Sequence, residues 1–398
     1  MSTSPIPRTL SLAFALVAGT MLSACGGGGG GYGGTPTPAP APTPTSGGET
    51  CTTDVYGTRT CTLNGGTFGG AGGGNYVANA LVSDTSATDA LHHDAHLINA
   101  WGLAFNPQGY SWLANAGTGT STLYDGNGVA QSLVVTLAQG NPSGIVFNGG
   151  TNFSITAGGL SGAAPFIFAT LQGQISAWSP TVDGTHSLTV VDRSTAGDSF
   201  TGLAINTGTG GDMIYAADFH NAAIAVFDGT FAPVTTTGGF VDSTLPAGYA
   251  PFGIQQIGGK VYVTYAQVDN ASGRSMAGAG LGLVDVFDLQ GTLLTHLVAT
   301  GGALNAPWGV AMAPANFGKF SNMLLVGNFG DGKINVFDPT TGAMQGTVTT
   351  NDGAAIVTPG LWALQFGNGL HAQPTNTLFY TAGPGAEAHG LYGRIDMN

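Results

Sequence analysis

The chain has 398 residues, a formal net charge of −13, 68 glycines and a charged fraction of 7%. Its eight Lys and Arg residues are too few to form the clustered cations that displace counterions from nucleic acid, which excludes nucleic-acid binding. No apolar stretch of about 18 residues follows the N-terminal segment, so the sequence predicts no later transmembrane helix.

The first residues are typical of an export signal. Arg8 precedes an uncharged, largely apolar run from Leu10 to Leu22, which is too short to cross about 30 Å of hydrocarbon as a helix. The segment Leu22-Ser23-Ala24-Cys25 resembles the bacterial lipobox, whose cysteine becomes the lipidated first residue. This resemblance implies a signal peptide over residues 1–24, lipidation of Cys25 and, in a Gram-negative organism, sorting to the outer membrane because Gly26 replaces Asp. The alternative is an ordinary signal peptide with an incidental Cys25.

Residues 25–75 are predicted to be a low-complexity, disordered tether. They contain the polyglycine run Gly26–Gly31 and a Pro/Thr tract through Pro44, neither of which can bury a core. Cys51 and Cys61 are predicted to form a disulfide in an oxidising compartment. A metal pair is the alternative, but no further cysteine or nearby histidine supports it.

A repeat then organises residues 76–398. The pattern is a small or apolar residue or proline, then an aromatic residue, then Gly, then alternating apolar residues. Copies occur at Asn99–Phe105, Asn141–Phe147, Ser199–Ile205, Ala250–Ile254, Ala306–Met312 and Gly360–Leu364. A period of about 40–50 residues in β sequence is typical of propeller blades.

Further strands follow within the copies. Examples are Met213–Asp218 as a second strand and Val284-Asp285-Val286-Phe287-Asp288 as a third, with the period-2 alternation of half-buried strands. The last copy ends at Asp396 without room for a fourth strand, whereas Asn75–Val82 is a strand without partners. We therefore predict an all-β, six-bladed propeller closed by this N-terminal strand. A tandem of immunoglobulin-like domains is the alternative, and the regular period argues against it.

The blade text resembles NHL-type repeats, in which Pro-x-Gly-[IV]-[AV] precedes a strand ending in Ala-Asp and then Ile-x-Val-Phe-Asp. The resemblance covers residues 99–396. Strings such as Asn99-Ala100-Trp101-Gly102 and Ala217-Asp218-Phe219-His220-Asn221 also look like those of an uncharacterised family of bacterial secreted propellers. The resemblance implies the fold but no particular chemistry.

The candidate ligand residues follow the second strands of three blades. Ring symmetry places these loops on one face near the axis, where a divalent metal such as Ca²⁺ or Zn²⁺ is a possible cofactor. The candidate metal or ligand residues are Asp218, His220, Asn328, Asp331, Glu387 and His389. In residue type, the set resembles the central metal site of six-bladed lactonases and amidating lyases. The alternative is that Asp and Asn cap the turns while the histidines are solvated.

Two other groups are weaker candidates. A loop before the first blade carries the possible metal ligands His92, His93, Asp94 and His96, although one short loop rarely supplies a whole site. Aromatic residues at the start of the inner strands are expected to pack the central tunnel, or else to form a stacking platform for a sugar or aromatic ligand; they are Trp101, Phe200, Phe252, Trp308 and Trp362.

Two functions remain open. The first is a cell-envelope lipoprotein, monomeric and attached to the membrane through its lipid anchor alone, that binds or scaffolds an extracytoplasmic protein or small molecule. The second is a metal-dependent hydrolase or lyase with its site at the channel mouth. Propellers support both functions. The absence of nucleophile-elbow, zincin and P-loop motifs favours the binding module.

Overall fold

The computed structural model describes residues 49–53, 59–63, 76–86 and 88–398, with side chains from residue 76 onward. Strands β1 (Glu49–Thr53) and β2 (Arg59–Leu63) form an antiparallel hairpin with Cys51 opposite Cys61 in register. The side chains of these two cysteines, and Cys25, lie outside the described part, so the disulfide and the lipid anchor stay predictions. Within the described residues no helix has the length and apolarity needed to cross a membrane.

The folded part is a six-bladed β-propeller, as the repeat predicts. It begins with β3 (Tyr76–Ser83) and the two-residue strand β4 (His92–His93). Blade 1 contains β5 (Ala100–Phe105), β6 (Ser111–Asn115), β7 (Thr120–Tyr124) and β8 (Ala130–Thr136). Blade 2 contains β9 (Pro142–Phe147), β12 (Phe166–Thr170), β13 (Gln174–Trp178) and β14 (Leu188–Asp192), with a hairpin of β10 (Ser154–Ala157) and β11 (Leu160–Ala163) inserted.

The remaining blades repeat this order with local variation. Blade 3 contains β15 (Phe200–Asn206), β16 (Met213–Asp218) and β17 (Ala223–Asp228). Blade 4 contains β18 (Tyr249–Ile257), β19 (Lys260–Asp269), β21 (Gly282–Asp288) and β22 (Leu293–Val298), and β20 (Arg274–Ser275) pairs with the end of β19. Blade 5 contains β23 (Pro307–Met312), β24 (Leu324–Asn328), β25 (Ile334–Phe337) and β26 (Met344–Thr347). Blade 6 contains β27 (Leu361–Phe366), β28 (Leu378–Ala382) and β29 (Leu391–Met397). Two short 3₁₀ turns lie at Ser194–Ala196 and Gly318–Phe320.

The ring closes through the N-terminal strand, which confirms the prediction from the partnerless segment. Strand β3 completes blade 6 by pairing antiparallel with β29, with Tyr76 opposite Met397 and Val82 opposite Tyr392. The Tyr76 hydroxyl donates to the Phe317 carbonyl at 2.8 Å, and its ring lies against Phe317 and Phe320 of blade 5. Closure therefore buries two sheet edges that would otherwise be exposed.

The inner strands pack against one another at their glycines. A Cβ built on Gly253 of blade 4 would lie 2.0 Å from the Trp308 carbonyl oxygen of blade 5. One built on Gly309 would lie 2.4 Å from the Trp362 carbonyl oxygen of blade 6. The repeated glycine is thus required because neighbouring backbones approach too closely for a side chain. Apolar clusters fill the wedge between each pair of neighbouring blades.

Candidate functional site

One face of the disc, which we call the channel face, carries the start of every inner strand and the end of every second strand. Each inner strand pairs antiparallel with its second strand, so these two ends coincide. The same backbone hydrogen bond recurs in all six blades. A backbone N–H at or just after the end of the second strand donates to the carbonyl of the residue before the inner strand. The donors are Ala116, Leu171, Phe219, Val268, Phe329 and Gly383. The loops that carry the predicted ligands therefore lie on the face that the ring symmetry implies.

An aromatic plug closes the channel on this face. Trp101, Phe252, Trp308 and Trp362 come from the inner strands of blades 1, 4, 5 and 6. The Trp101 and Trp362 rings stack at 3.6 Å between centroids, and Trp308 meets Trp362 edge-on at 5.9 Å. Phe329, partly exposed in the loop after β24, stacks on the Trp362 ring at 4.1 Å. These residues have the packing role that their position predicts.

Phe200 does not belong to the plug, in contrast to the expectation. It begins an inner strand, but its ring lies between blades 2 and 3, edge-on to Phe227 at 6.4 Å. Side chains alternate along a strand, so the axial position of blade 3 is taken by Thr201, one residue later. Blade 2 has Ser143 at the equivalent position, immediately before its repeat glycine. Four large rings and two small hydroxyl residues thus surround the axis.

Two of the indoles in the plug are hydrogen-bonded and a third is not. Trp308 Nε1 donates to the Thr201 carbonyl at 2.9 Å, and Trp362 Nε1 donates to Asn99 Oδ1 at 3.1 Å. Trp101 Nε1 is buried without a hydrogen-bond partner. Beneath the plug, a cavity of about 20 Å³ is lined by the repeat glycines and by residues such as Leu203 and Trp308. That volume holds about one water molecule, so a larger ligand does not fit into this cavity.

The predicted ligands in blades 3 and 5 are held by their own loops. Asp218 is buried, and its carboxylate accepts hydrogen bonds from the Ser199 N–H at 2.9 Å and from Asn221 Nδ2 at 2.8 Å. Asn328 is also buried and donates from Nδ2 to the Ala303 carbonyl at 2.9 Å and to Asp331 Oδ1 at 3.0 Å. The aromatic residues that follow them, Phe219 and Phe329, are the ones that reach the plug. Both loops thus direct their rings, and not these two polar side chains, to the axis.

Two further candidates, Asp331 and His389, have local partners. Asp331 pairs with Lys333 Nζ at 3.2 Å, and His220 is exposed. His389 Nδ1 lies 2.9 Å from Asp84 Oδ2.

Glu387 joins two parts of the channel face. It forms an ion pair with Arg274 of the β19–β20 hairpin and accepts from Asn99 Nδ2 at 3.0 Å. Since Asn99 also accepts from Trp362, a chain of polar contacts links the plug to blade 4.

The histidine-rich loop before blade 1 is similarly divided. His92 and His93 form β4, which pairs parallel with the end of β3. Asp94 accepts from the Tyr124 hydroxyl at 2.8 Å and from the His96 N–H at 2.9 Å. Partial burial opposes ionisation of Asp94, but these hydrogen bonds and the His96 side chain outweigh it and hold the pKa of Asp94 below its usual value. A structural role for Asp94 follows from these contacts.

A set of possible metal ligands that the sequence analysis missed lies in blade 4. Over residues 76–86 and 88–398, one group of three or more His, Cys, Asp or Glu side chains has its ligand atoms within 4.8 Å of one another; it consists of Asp242, Asp285 and His296. The channel-face candidates and the His92–His96 loop do not form such a group, and their ligand roles stay predictions. The signal in the sequence was the charged residue Asp285 at a buried position of the third-strand motif Val284-Asp285-Val286.

Comparisons with known proteins give relatives of similar length. No protein-family model matches the chain. The uncharacterized protein R648 of Acanthamoeba polyphaga mimivirus is 35% identical over 329 residues, which are 80% of this chain and 79% of that protein. The uncharacterized protein L690 of the same virus is 32% identical over 80% of this chain and 85% of its own length.

The solved structures with similar folds are more distant in sequence. A streptogramin B lyase structure is 12% identical, with a TM-score of 0.44, over 81% of this chain and 98% of that chain. Virginiamycin B lyase from Staphylococcus aureus is also 12% identical, with a TM-score of 0.39, over 88% of this chain and 89% of that chain. By sequence identity over about four fifths of its length, the chain belongs to the family of the mimivirus proteins R648 and L690.

Proposed function

We propose that this protein is an exported lipoprotein whose propeller acts as a binding or scaffolding module, with the channel face as its binding surface. The observation that carries the proposal is that aromatic rings close the channel on a face where the candidate acidic residues already have partners. The Asp218 carboxylate accepts a hydrogen bond from Asn221, and Asp331 and Glu387 form ion pairs with Lys333 and Arg274. Such a face offers a fixed shape and stacking surface.

The alternative, a metal-dependent hydrolase or lyase at the channel mouth, has less support. A catalytic metal needs about three protein ligands around one ion. The candidate side chains on the channel face come from separate blades and do not form a group of three within 4.8 Å among the described residues. The binding module requires no such convergence, because shape and ring stacking supply its contacts.

The chemistry of the face favours a ligand with a flat apolar or sugar-like surface. Phe329 is partly exposed above Trp362, and the partly buried Leu171 and Val268 pack against the same cluster. Stacked rings give large contact area at low entropy cost. Lys333 and Arg274, two cations of this face, are both paired with acidic groups.

The localisation half of the proposal is tested with Cys25. The full chain and its Cys25→Ser variant are expressed in a Gram-negative host with a fatty-acid analogue. We expect the wild type to be labelled and found with outer membranes, and the variant to be unlabelled and released. An unlabelled wild type would show that Cys25 is incidental.

The binding half is tested with a pair of photo-crosslinking substitutions. One replaces His220, exposed in the loop after β16 on the channel face; the control replaces Gln108, exposed in the turn at the opposite end of blade 1. We expect a discrete adduct from position 220 that is lost when Phe329→Ser removes the stacking ring. Equal adducts from both positions, or an adduct insensitive to Phe329→Ser, would contradict a binding surface here.

A further inference from the structure

Blade 4 contains a carboxylate at a position that is uncharged in the other blades. Strand β21 alternates, and Leu283 and Phe287 point into the apolar cluster between blades 3 and 4. Asp285 lies between them and is fully buried. The equivalent positions of the other third strands, two residues before the aromatic or apolar residue near the strand end, hold Thr122, Ser176, Ala225, Asn335 and Gly393.

This buried carboxylate has incomplete hydrogen bonding. Its Oδ1 lies 3.0 Å from His296 Nδ1, while its Oδ2 has no hydrogen-bond partner and is shielded from solvent. A buried, half-satisfied carboxylate is unfavourable unless a cation completes its coordination. The unpartnered oxygen of this buried side chain is therefore available to a cation.

A second carboxylate and an imidazole lie next to it. Asp242, from the connection between β17 and β18, has its Oδ2 3.4 Å from His296 Nδ1. Its Oδ1 is fixed by the Thr244 N–H at 2.7 Å and by the Thr244 hydroxyl at 2.9 Å. The same hydroxyl lies 2.9 Å from His296 Nε2. Thr244 therefore orients both side chains and leaves Asp242 Oδ2 and His296 Nδ1 directed at Asp285.

We propose that Asp242, Asp285 and His296 bind a divalent transition-metal ion, with Zn²⁺ the best match and Thr244 as a positioning residue. Zinc binds nitrogen and carboxylate oxygen at about 2.0–2.2 Å in tetrahedral geometry, which places neighbouring ligands about 3.3 Å apart. The distances from His296 Nδ1 to the two carboxylates, 3.0 and 3.4 Å, fit this spacing. An imidazole ligand favours zinc over calcium or magnesium.

The proton inventory is consistent with metal binding. The metal takes the Nδ1 lone pair of neutral His296, which moves the ring proton to Nε2, where the Thr244 oxygen accepts it. Thr244 in turn donates its own proton to Asp242 Oδ1. This is the second-shell arrangement that holds metal-bound histidines in one tautomer. The Asp285 oxygen at 3.0 Å from His296 Nδ1 is Oδ1, and binding there also offsets the negative charge that the carboxylate shares with the unpartnered Oδ2.

The proposed site has an open side. A cavity of about 160 Å³ adjoins the three residues and is lined by Pro246, Leu283, Val298 and Thr300 among others. Three protein ligands leave a fourth position for water or a small ligand, as in zinc sites that exchange ligands. The site uses the outer two strands of blade 4 and the connection from blade 3, not the loops of the channel face, so it is independent of the proposed binding surface.

The experiment measures zinc binding by the full chain, purified without a histidine tag and stripped with a chelator. We expect one equivalent of tightly bound Zn²⁺ by calorimetry, and a four-coordinate visible spectrum with Co²⁺. Asp285→Asn preserves the side-chain shape and should weaken binding by more than about 100-fold. Thr244→Val should weaken it by about 10–100-fold, the usual effect of losing an outer-shell partner.

Controls separate this site from the rest of the surface. Asp183→Asn removes the carboxylate of an exposed Asp183–His186 pair with a 3.3 Å contact, and it should leave zinc binding unchanged. If Asp285→Asn does not fold, His296→Gln replaces it, because that side chain is 44% exposed. A wild type that binds no zinc, Asp285→Asn and His296→Gln variants that bind as tightly as the wild type, or loss of zinc in a His93→Ala/His96→Ala variant would each overturn the proposal.

Discussion

Replacing Gly253 by alanine tests whether the blades meet as closely as the structure indicates. The new methyl carbon would lie 2.0 Å from the Trp308 carbonyl oxygen, whereas real Cβ atoms do not approach other atoms closer than 3.0 Å. The inner strands of blades 4 and 5 must therefore separate by about 1 Å, the difference between those two distances. The backbone φ of Gly253 is not in the left-handed region, so the expected effect is steric alone.

The magnitude follows from two contributions. Overpacking of a close-packed site costs about 1–3 kcal/mol. Separation of the strands also disturbs the hydrogen bond from the Gly253 N–H to Thr264 Oγ1, which is 2.9 Å long and contributes about 1 kcal/mol. The sum is about 2–4 kcal/mol. With an unfolding entropy of about 2.1 cal/mol/K per residue over the ring, this corresponds to a Tm lower by about 3–6 °C.

The assay is denaturant unfolding with thermal melting of three variants. Gly202→Ala is the intermediate case, because its Cβ would meet Ile254 at 3.3 Å, and Gly184→Ala is the control, because nothing lies within 4 Å. We expect the loss of stability to follow the order Gly253, Gly202, Gly184, with Gly184→Ala within about 0.5 kcal/mol of the wild type. A Gly253→Ala variant as stable as Gly184→Ala would refute the close approach of the blades.

Three further predictions concern the ring, a carboxylate and the plug. Deleting residues 75–82 removes the partner of β29 and should lower the melting temperature of the whole domain; an unchanged melting curve would contradict closure by β3. Asp94→Asn should destabilise the protein by about 1–2 kcal/mol at pH 7, because it weakens charge-assisted hydrogen bonds. Since the folded pKa of Asp94 lies below its usual 3.8, its stabilisation is present above that pH and lost as the pH falls through the folded pKa, so wild type and variant should converge in acid unfolding. Trp362→Phe should cost about 1 kcal/mol more than Trp101→Phe, because the Trp362 indole N–H is hydrogen-bonded and the Trp101 indole N–H is not; equal losses in urea unfolding would argue against this difference.

The fold could be read from the sequence because its signals are local and repeated. The aromatic–glycine pattern marks the inner strands, and the segment Asn75–Val82 differs by one residue at each end from the observed β3 (Tyr76–Ser83). The β10–β11 hairpin, inserted between β9 and β12 of blade 2, was not predicted. A hairpin inserted within a blade changes the spacing but leaves no mark in the blade motif.

The site was predicted less well, because a repeat fixes where a loop lies but not where its side chains point. Asp218 turns to the segment before β15, where the Ser199 N–H donates to it at 2.9 Å, while the neighbouring Phe219 points toward the plug. The blade 4 group combines Asp242 of the β17–β18 connection with Asp285 of β21 and His296 of β22. Asp242 lies far from the other two residues in sequence, so no short motif contains all three. Charge at an inward strand position was the available signal.

The pairing of β3 with β29 also sets the order in which the molecule can be completed. The first strand of the ring to be synthesised has its partner at Leu391–Met397, at the far end of the folded part. Blades 1 to 5 can form earlier from residues that are close in sequence. Blade 6 is complete only after β29 has been synthesised and has paired with β3. Long-range contacts of this kind slow folding. Until β29 has been synthesised, β3 lacks its antiparallel partner, and a stop codon before Leu391 would leave that edge of β3 unpaired.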